Sequence, residues 1–428
     1  MSGLPSARPA GSWGTAGDGR RGGVLARVET VLLFALLLRV AWALAVPIVP
    51  VSDGVLYDGF ARSIASGRGY AYPNGGPLTA YWPVGAPALY AALYRVFDVS
   101  HAAVAAFNVG LGVAIVALAR AIALRHFGAR VALVTAWLLA LWPLLIQFTT
   151  VFASELPFMA LVLAAVWVWG TERGPLAARA ALWGALVAAA TYVRPTAWPM
   201  LVLLPALGFL ARHDLRRALV EALVAVLVAA ALFAPWVQRN QALFGRFVLV
   251  ATNGGPNLWM GNNPHSNGGY MELPATAFAN EAERDRRLGA EAVAFIRERP
   301  LDYLRLCVQR IGITYSRESI GVVWNERGLT ERYGTAVLLP LKALSALYWW
   351  AVLALGAAGA LRAWRRGTIG WVHPIWVLSL FFFAIPVLTV GQDRYHVPLA
   401  PFLAMFAACA VSGRPPRGGP PGAGATRD

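Results

Sequence analysis

Seven residues carry the chemical possibilities of this chain: Asp53, Tyr57, Glu155, Arg194, Arg394, Tyr395 and His396. Asp53 stands in Ser52-Asp53-Gly54, just past the first long apolar run. It heads a polar, aromatic stretch containing Tyr57, Gly67-Arg68-Gly69-Tyr70 and Tyr81-Trp82-Pro83-Val84-Gly85. A carboxylate at the mouth of a membrane helix is placed for chemistry at a bilayer surface. The same Ser52-Asp53 pair also reads as a helix N-cap, and Tyr57, one turn on, shares the face of Asp53 either as a contact residue or as packing. Glu155 opens an apolar segment, where the helix dipole alone favours an acid, although intramembrane acids are functional positions by default. Arg194, before Pro195, and Arg394, in Asp393-Arg394-Tyr395-His396, suit phosphate because a guanidinium stays charged and binds bidentately. Arginines that snorkel to the membrane surface are the competing explanation. Tyr395 and His396 join the set by adjacency, and a lone histidine there also reads as an interface residue.

Composition decides what must position these residues. Of 428 residues, 58% are hydrophobic and only 14% charged, against about a quarter charged in soluble domains. The chain therefore reads as an all-α, polytopic membrane protein. About ten apolar runs are long enough to cross a hydrocarbon core of roughly 30 Å, which takes about 20 helical residues. They are Val24 to Val46, His101 to Ala123, Arg130 to Phe148, Phe152 to Gly170, Ala177 to Val193, Thr196 to Ala211, Ala218 to Trp236, Ala336 to Leu361, Trp371 to Val390 and His396 to Val411. Pro83 to Phe97 is apolar but short and contains Arg95, so it reads as an interfacial helix.

The net charge of +16 follows this topology. Arg20, Arg21 and Arg27, Arg120, Arg125 and Arg130, Arg212, Arg216 and Arg217, Arg362, Arg365 and Arg366, and Arg414 and Arg417 all fall on one side of the predicted spans. The positive-inside rule makes that side cytoplasmic, with both termini. Asp53, Glu155, Arg194 and Asp393 are then outside. The basic charge is topology, and no nucleic-acid partner is expected. No cleavable secretory signal is expected at the N-terminus.

The chain divides into a tail (1–23), a first transmembrane module (24–236) with an outer loop at 47–100, a long outer loop (237–335) between the seventh and eighth spans, a last set of helices (336–412) and a second tail (413–428). Both tails are expected to be disordered. Within the long loop, Asn253 to Pro264 is rich in turn residues, Glu281 to Glu298 is amphipathic and stopped by Pro300, and a further helix runs from Leu301 to about Ser316. Cys307 and Cys409 fall on opposite sides and should not pair.

The motifs also form an ordered series. Asp53 after the first span, Gly-Arg-Gly-Tyr (67–70) and Tyr-Trp-Pro-Val-Gly (81–85), Ser154-Glu155-Leu156-Pro157-Phe158, Arg194-Pro195-Thr196, the Asn-Gly-Gly to Gly-Asn-Asn-Pro segment (253–264), Glu-Ala-Glu-Arg (281–284), Arg-Glu-Arg-Pro (297–300) and Asp393 to Pro398 together resemble bacterial glycosyltransferase family 39. That family includes protein O-mannosyltransferases and lipid A aminoarabinose transferases. The resemblance runs from about Val31 to Ala407. It implies a GT-C fold in the inner membrane and sugar transfer on its outer face, usually with inversion, from a polyprenyl-phosphate-linked donor to an envelope acceptor. It also implies that an acid of the first outer loop, Asp53 by position, lies near the acceptor. A carboxylate that takes the acceptor's proton is worth about 10² to 10⁴ in rate, and a phosphate leaving group needs no second acid, unlike the glycosidase pair. Arg194 and Arg394 would hold the donor phosphate, and a divalent cation serves some members.

Other chemistries are poorly supported. The six histidines show no HExxH or Cys/His ligand spacing, and there is no P-loop, dinucleotide fingerprint or nucleophile elbow. A transporter or flippase of lipid-linked sugars is the competing class. Against it, no paired broken helices occur in matching halves.

Overall fold

The computed structural model describes residues 27–412, so the two tails lie outside the described residues. Every one of the ten apolar runs is helical. The elements of the bundle are α1 (Val28–Ala45), α4 (His101–Phe127), α5 (Ala129–Leu141), α6 (Pro143–Gln147), α7 (Glu155–Trp169), α8 (Leu176–Val193), α9 (Met200–Arg212), α10 (Leu215–Phe244), α15 (Leu338–Arg365), α16 (Pro374–Leu388) and α17 (Ala400–Val411). Between them lie α2 (Asp53–Ala65), α3 (Gly85–Phe97), α11 (Gly254–Gly261), α12 (Glu281–Glu298), α13 (Pro300–Tyr315) and α14 (Ile320–Tyr333). Among the described residues the β structure is a single bridge, Ala71 to Leu78.

Six of the apolar helices have the length and composition of a membrane span, and α5 with α6 forms a seventh candidate bent by 54°. The helices α7, α16 and α17 are shorter and apolar. α7 is buried on nearly every face, so its hydrophobicity serves the interior of the bundle as much as any lipid. α3 has 13 residues, about 20 Å at 1.5 Å per residue, too short to cross. The seventh predicted span runs on past Trp236, since α10 continues to Phe244.

The bend between α5 and α6 has an identifiable cause. Pro143 lacks an N–H, so the carbonyl of Leu139 loses its helical partner. Arg39 of α1 supplies the missing donors: Nη2 donates to Leu139 O at 3.0 Å and Nη1 to Ala140 O at 3.2 Å and Ala35 O at 3.1 Å. Gly112 of α4 makes the room, because a Cβ there would stand 2.4 Å from Arg39 Nε. A buried arginine thereby satisfies backbone groups that no water reaches. α15 and α17 also approach closely, and a Cβ at Gly359 would lie 1.8 Å from Phe406 O.

Among the described residues the arginine clusters gather at one end. Arg212 and Arg217 pair with Glu172 and with the buried Glu221, Arg179 stands beside the same two acids, and Arg362 donates to Ala410 O at 2.6 Å. α8 begins at this end, beside Arg179, and finishes at the other, beside Arg194.

At that opposite end the segments between spans are tied to one another. Asp58 accepts from Arg62 and from Tyr94 Oη, fastening α2 to α3. Glu281, opening α12, accepts from Thr79 Oγ1 at 2.7 Å and from the Ala80 N–H, so the two outer segments meet. The helices α13 and α14 form a hairpin that enters the bundle. Tyr303 Oη donates to Leu388 O at 3.4 Å, Arg310 Nη1 to Val387 O at 2.8 Å and Tyr315 Oη to Phe383 O at 2.9 Å, so α13 descends along α16. Its tip is gripped by the indoles of Trp349 and Trp350, in the middle of α15, which donate to Tyr315 O and Ser316 O. The stretch expected as an outer loop thus sends one hairpin into the bundle.

Candidate active site

A cavity of about 800 Å³ opens at the end away from the arginine clusters. Asp53 and Tyr57 of α2 line it, with Tyr72, Tyr81 and Trp82 of the first outer segment. Ser154 before α7, Arg194 after α8, Asn253 and Asn257 at α11, Tyr270, Phe382 and Ile385 of α16, and Gln392, Arg394 and Tyr395 complete the wall. Polar groups thus converge on an aromatic and aliphatic lining, as in sites that enclose a small molecule.

Asp53 is the first residue of α2, and Ser52 takes the cap position without a side-chain bond. The capping explanation for Asp53 therefore does not describe its place. Ser52 has φ 50 and ψ −128, a conformation that non-glycine residues rarely adopt and that marks functional sites more often than others. Its effect is to turn the chain sharply into α2. Asp53 Oδ2 then stands 2.6 Å from Arg394 Nη2, a close charge pair without hydrogen-bond alignment.

Arg394 is buried and held on three sides. Nε donates to Gln392 Oε1 at 2.8 Å, and the guanidinium lies over the rings of Trp324, at 4.7 Å, and Tyr395, at 5.5 Å. Burial works against its charge, but Asp53, Tyr395 and Glu155 outweigh that and hold its pKa above the usual guanidinium value. The same environment acts on Tyr57: burial, then the charges of Asp53 and Glu155, pushes its hydroxyl up to about 12. Tyr57 is thus a neutral donor at any ordinary pH.

Glu155 lies one layer back. It is fully buried and absent from the cavity wall, with Arg194 Nη1 3.3 Å from Oε1. Neither carboxylate oxygen accepts an aligned hydrogen bond. Arg194 itself faces the cavity and lies over the rings of Phe158 and Tyr395, at 5.9 and 5.5 Å. The geometry therefore makes Glu155 a counter-charge to Arg194 rather than a wall residue. Gly85 explains part of the Tyr-Trp-Pro-Val-Gly motif, since a Cβ there would stand 2.6 Å from the backbone of Tyr192 and Val193. The loop bearing Tyr81 and Trp82 can only lie on the end of α8 because that position is bare.

His396, joined to the site residues by its adjacency to Arg394, is elsewhere. It is fully buried and does not line the cavity. Nδ1 is 2.9 Å from Thr314 O, Nε2 is 3.1 Å from Glu318 Oε1, and the ring stacks on Trp349 at 4.1 Å. The reason is chain geometry: a turn runs from Gln392 to Leu399 and sends residues 394 and 396 to different sides. Sequence reasoning placed Asn253 and Tyr81-Trp82 in motifs without assigning them to a site, and it missed Tyr270, Trp324 and Gln392. Only the concentration of amides and aromatics in the outer segments hinted at them.

Among the described residues no group of three or more His, Cys, Asp or Glu side chains converges to hold a metal ion. Asp53 and Glu155 are each engaged by an arginine. Among the described residues these side chains do not fit a protein-built cation site of three or more such ligands.

No protein-family model matches the chain, and no curated protein matches it. Solved structures do. The Archaeoglobus fulgidus oligosaccharyltransferase tethered to an acceptor peptide containing the NVT sequon aligns with TM-score 0.54 and 15% identity over 89% of this chain and 49% of its own. The same organism's AglB in complex with an inhibitory peptide and a dolichol-phosphate gives 0.54 and 14%, over 89% and 50%. ArnT from Cupriavidus metallidurans bound to undecaprenyl phosphate gives 0.51 and 15%, over 91% and 61%. This chain has the GT-C fold. At these identities the likeness is one of fold, and the chain spans about half the length of the oligosaccharyltransferase it matches.

Proposed function

We propose that this protein is a membrane glycosyltransferase that moves a sugar from a polyprenyl-phosphate-linked donor to a cell-envelope acceptor. The observation that carries this reading is the Asp53–Arg394 pair in the wall of a cavity at one end of an apolar bundle. A carboxylate beside a fixed cation provides the two functions the reaction needs. In the proposed step the acceptor's oxygen attacks the anomeric carbon while Asp53 takes its proton. The bond to the donor oxygen breaks, and the polyprenyl phosphate departs with the electron pair. Arg394 and Arg194 balance the charge on that phosphate, and no acid is needed to protonate it. Tyr57 donates a hydrogen bond to donor or acceptor from the same wall. Tyr81, Trp82 and Tyr270 offer apolar faces to a sugar ring.

The fold supports the reading, because structures that share it are solved with undecaprenyl phosphate and with dolichol-phosphate and peptide. Inversion at a hexosyl or pentosyl centre follows from a single displacement with one base. The clustered arginines support an inner-membrane placement with the termini in the cytoplasm and the cavity outside. A protein, lipid or polysaccharide acceptor is compatible with this chemistry. The test is an assay of the purified full chain in nanodiscs with polyprenyl-phosphate sugars and envelope extracts, measuring released polyprenyl phosphate and the configuration of the product by NMR. Lipid movement across the bilayer without sugar transfer would instead assign the chain to the flippases.

A further inference from the structure

We propose that Glu318 and His396 share a single proton and form a positioning pair that holds Arg394 against Asp53. The proton count follows from the hydrogen bonds. Thr314 O can only accept, so His396 Nδ1, 2.9 Å away, carries a hydrogen. Nε2 and Glu318 Oε1 are 3.1 Å apart, and two acceptors do not sit at that distance in a buried site without a proton between them. The pair is therefore either imidazolium with carboxylate or neutral imidazole with carboxylic acid, and it carries one transferable proton in both forms. Trp142 Nε1 donates to both oxygens of Glu318, each at 3.0 Å, and the imidazole stacks on Trp349. Burial raises the Glu318 pKa and favours the neutral form, while the bonds from His396 and Trp142 work towards the charged one; the proton stays within the pair in both. Both side chains are fully buried, so removing the shared proton would leave an unpaired charge out of water.

The pair acts through the turn between them and the cavity. The tip of the α13–α14 hairpin clamps that turn at two points, one on each side of Arg394. Ser319 Oγ donates to Asp393 Oδ2 at 3.1 Å, and Glu318 meets His396. Backbone bonds from Tyr395 N to Gln392 O, Val397 N to Arg394 O and Leu399 N to His396 O make the intervening chain stiff. Trp324, on the same hairpin, carries the Arg394 guanidinium on its face. A change at Glu318 is therefore felt at Arg394 without any contact between the two. The charged and titratable groups around the pair are Asp393, with Arg317 Nε at 3.7 Å, Arg394, and the hydroxyls of Tyr315 and Tyr348, which donate to Phe383 O and Leu138 O.

This inference rests on the transferase reading for its kinetic arm and on spectroscopy for its proton arm. In the kinetic arm, Glu318→Ala should raise the donor KM about tenfold, and on an Arg394→Ala background it should add nothing further, since both changes remove one interaction. Glu318→Gln should stay within about threefold of the natural protein. Its amide N–H can donate to neutral Nε2 and its carbonyl can accept from Trp142, replacing the shared proton without charge. In the proton arm, ¹⁵N-histidine NMR of the full chain in nanodiscs, with His396 identified by its loss in His396→Gln, should show Nδ1 protonated and hydrogen-bonded to Thr314 O. Glu318→Gln, which has no proton to share, should shift the Nε2 resonance while Nδ1 stays protonated, which a packing role would not do. Additive losses with Arg394→Ala, a Gln variant as damaged as the Ala variant, or an unprotonated Nδ1 on His396 would each overturn the proposal. If the natural protein transfers no sugar while His396 holds its proton as described, the reaction assignment fails and the shared proton stands.

Discussion

Arg394 Nη2 stands 2.6 Å from Asp53 Oδ2, which joins the first residue of α2 to the turn before α17. Two segments far apart in sequence thereby build one site, and the pair gives each partner a role the other makes necessary. Asp53 keeps a cation at the cavity wall, and Arg394 lets a carboxylate stand there partly buried.

The sharpest test is Asp53→Asn. The substitution keeps shape and polarity but removes basicity, so turnover should fall by about 10² or more while donor binding persists. Because Asp53 is not the cap of α2, helix stability should hardly change. Near-normal turnover in the Asn variant would move the search for a base to another residue.

Arg194 and Arg394 should separate by chemistry. Alanine at either should raise the donor KM or abolish turnover, and lysine should restore little because the planar fork is lost. Glu155→Gln should resemble a mild Arg194 defect, since Arg194 is the group that Glu155 pairs with. Steady-state kinetics with varied donor would check all three, and unchanged constants in both alanine variants would return the arginines to membrane anchors.

A pH dependence follows from Asp58. Burial raises its carboxyl pKa, but hydrogen bonds from His101, Tyr94 and Arg62 outweigh that and hold it below the usual value of 3.8. A depressed folded pKa contributes stability above the unfolded value and loses it as pH falls through the folded one. The α2–α3 clasp should therefore loosen only below about pH 4. Thermal unfolding of Asp58→Asn should be lower than the natural protein at pH 7 and should lose this part of the acid sensitivity.

Arg39 offers a test that is independent of the reaction. Arg39→Met keeps most of the side chain but orphans the carbonyls of Leu139 and Ala140, at roughly 1–3 kcal/mol for each buried group left unpaired. The melting temperature in detergent should drop accordingly. Gly112→Ala should do the same through the clash with Arg39 Nε, and a variant pair that melts like the natural protein would contradict the account of the α5–α6 bend.

Much of the architecture was legible in the chain itself. Apolar runs of span length are a direct consequence of burying backbone in lipid, and the ten runs expected are helical where described, six as helices of span length and a seventh as the bent α5–α6 pair. The amphipathic α12 begins and ends as its pattern predicts, because Asn280 caps it with a bond to Glu283 N at 2.9 Å and Pro300 starts the next helix. Among the described residues the arginine clusters share one end, the asymmetry that the positive-inside rule describes.

The site was legible only as residue types. Asp53, Tyr57, Arg194, Arg394 and Tyr395 do share one cavity wall, whereas Glu155 stands behind Arg194 and His396 belongs to Glu318. No local rule contains those last two facts. A helix records in its own sequence which face is apolar, because each residue's burial acts on that helix alone. Which arginine meets which carboxylate depends on the strained Ser52, the bare Gly85 and the depth to which the α13–α14 hairpin enters the bundle. These are relations between distant segments, set by packing, and only the tertiary structure decides them.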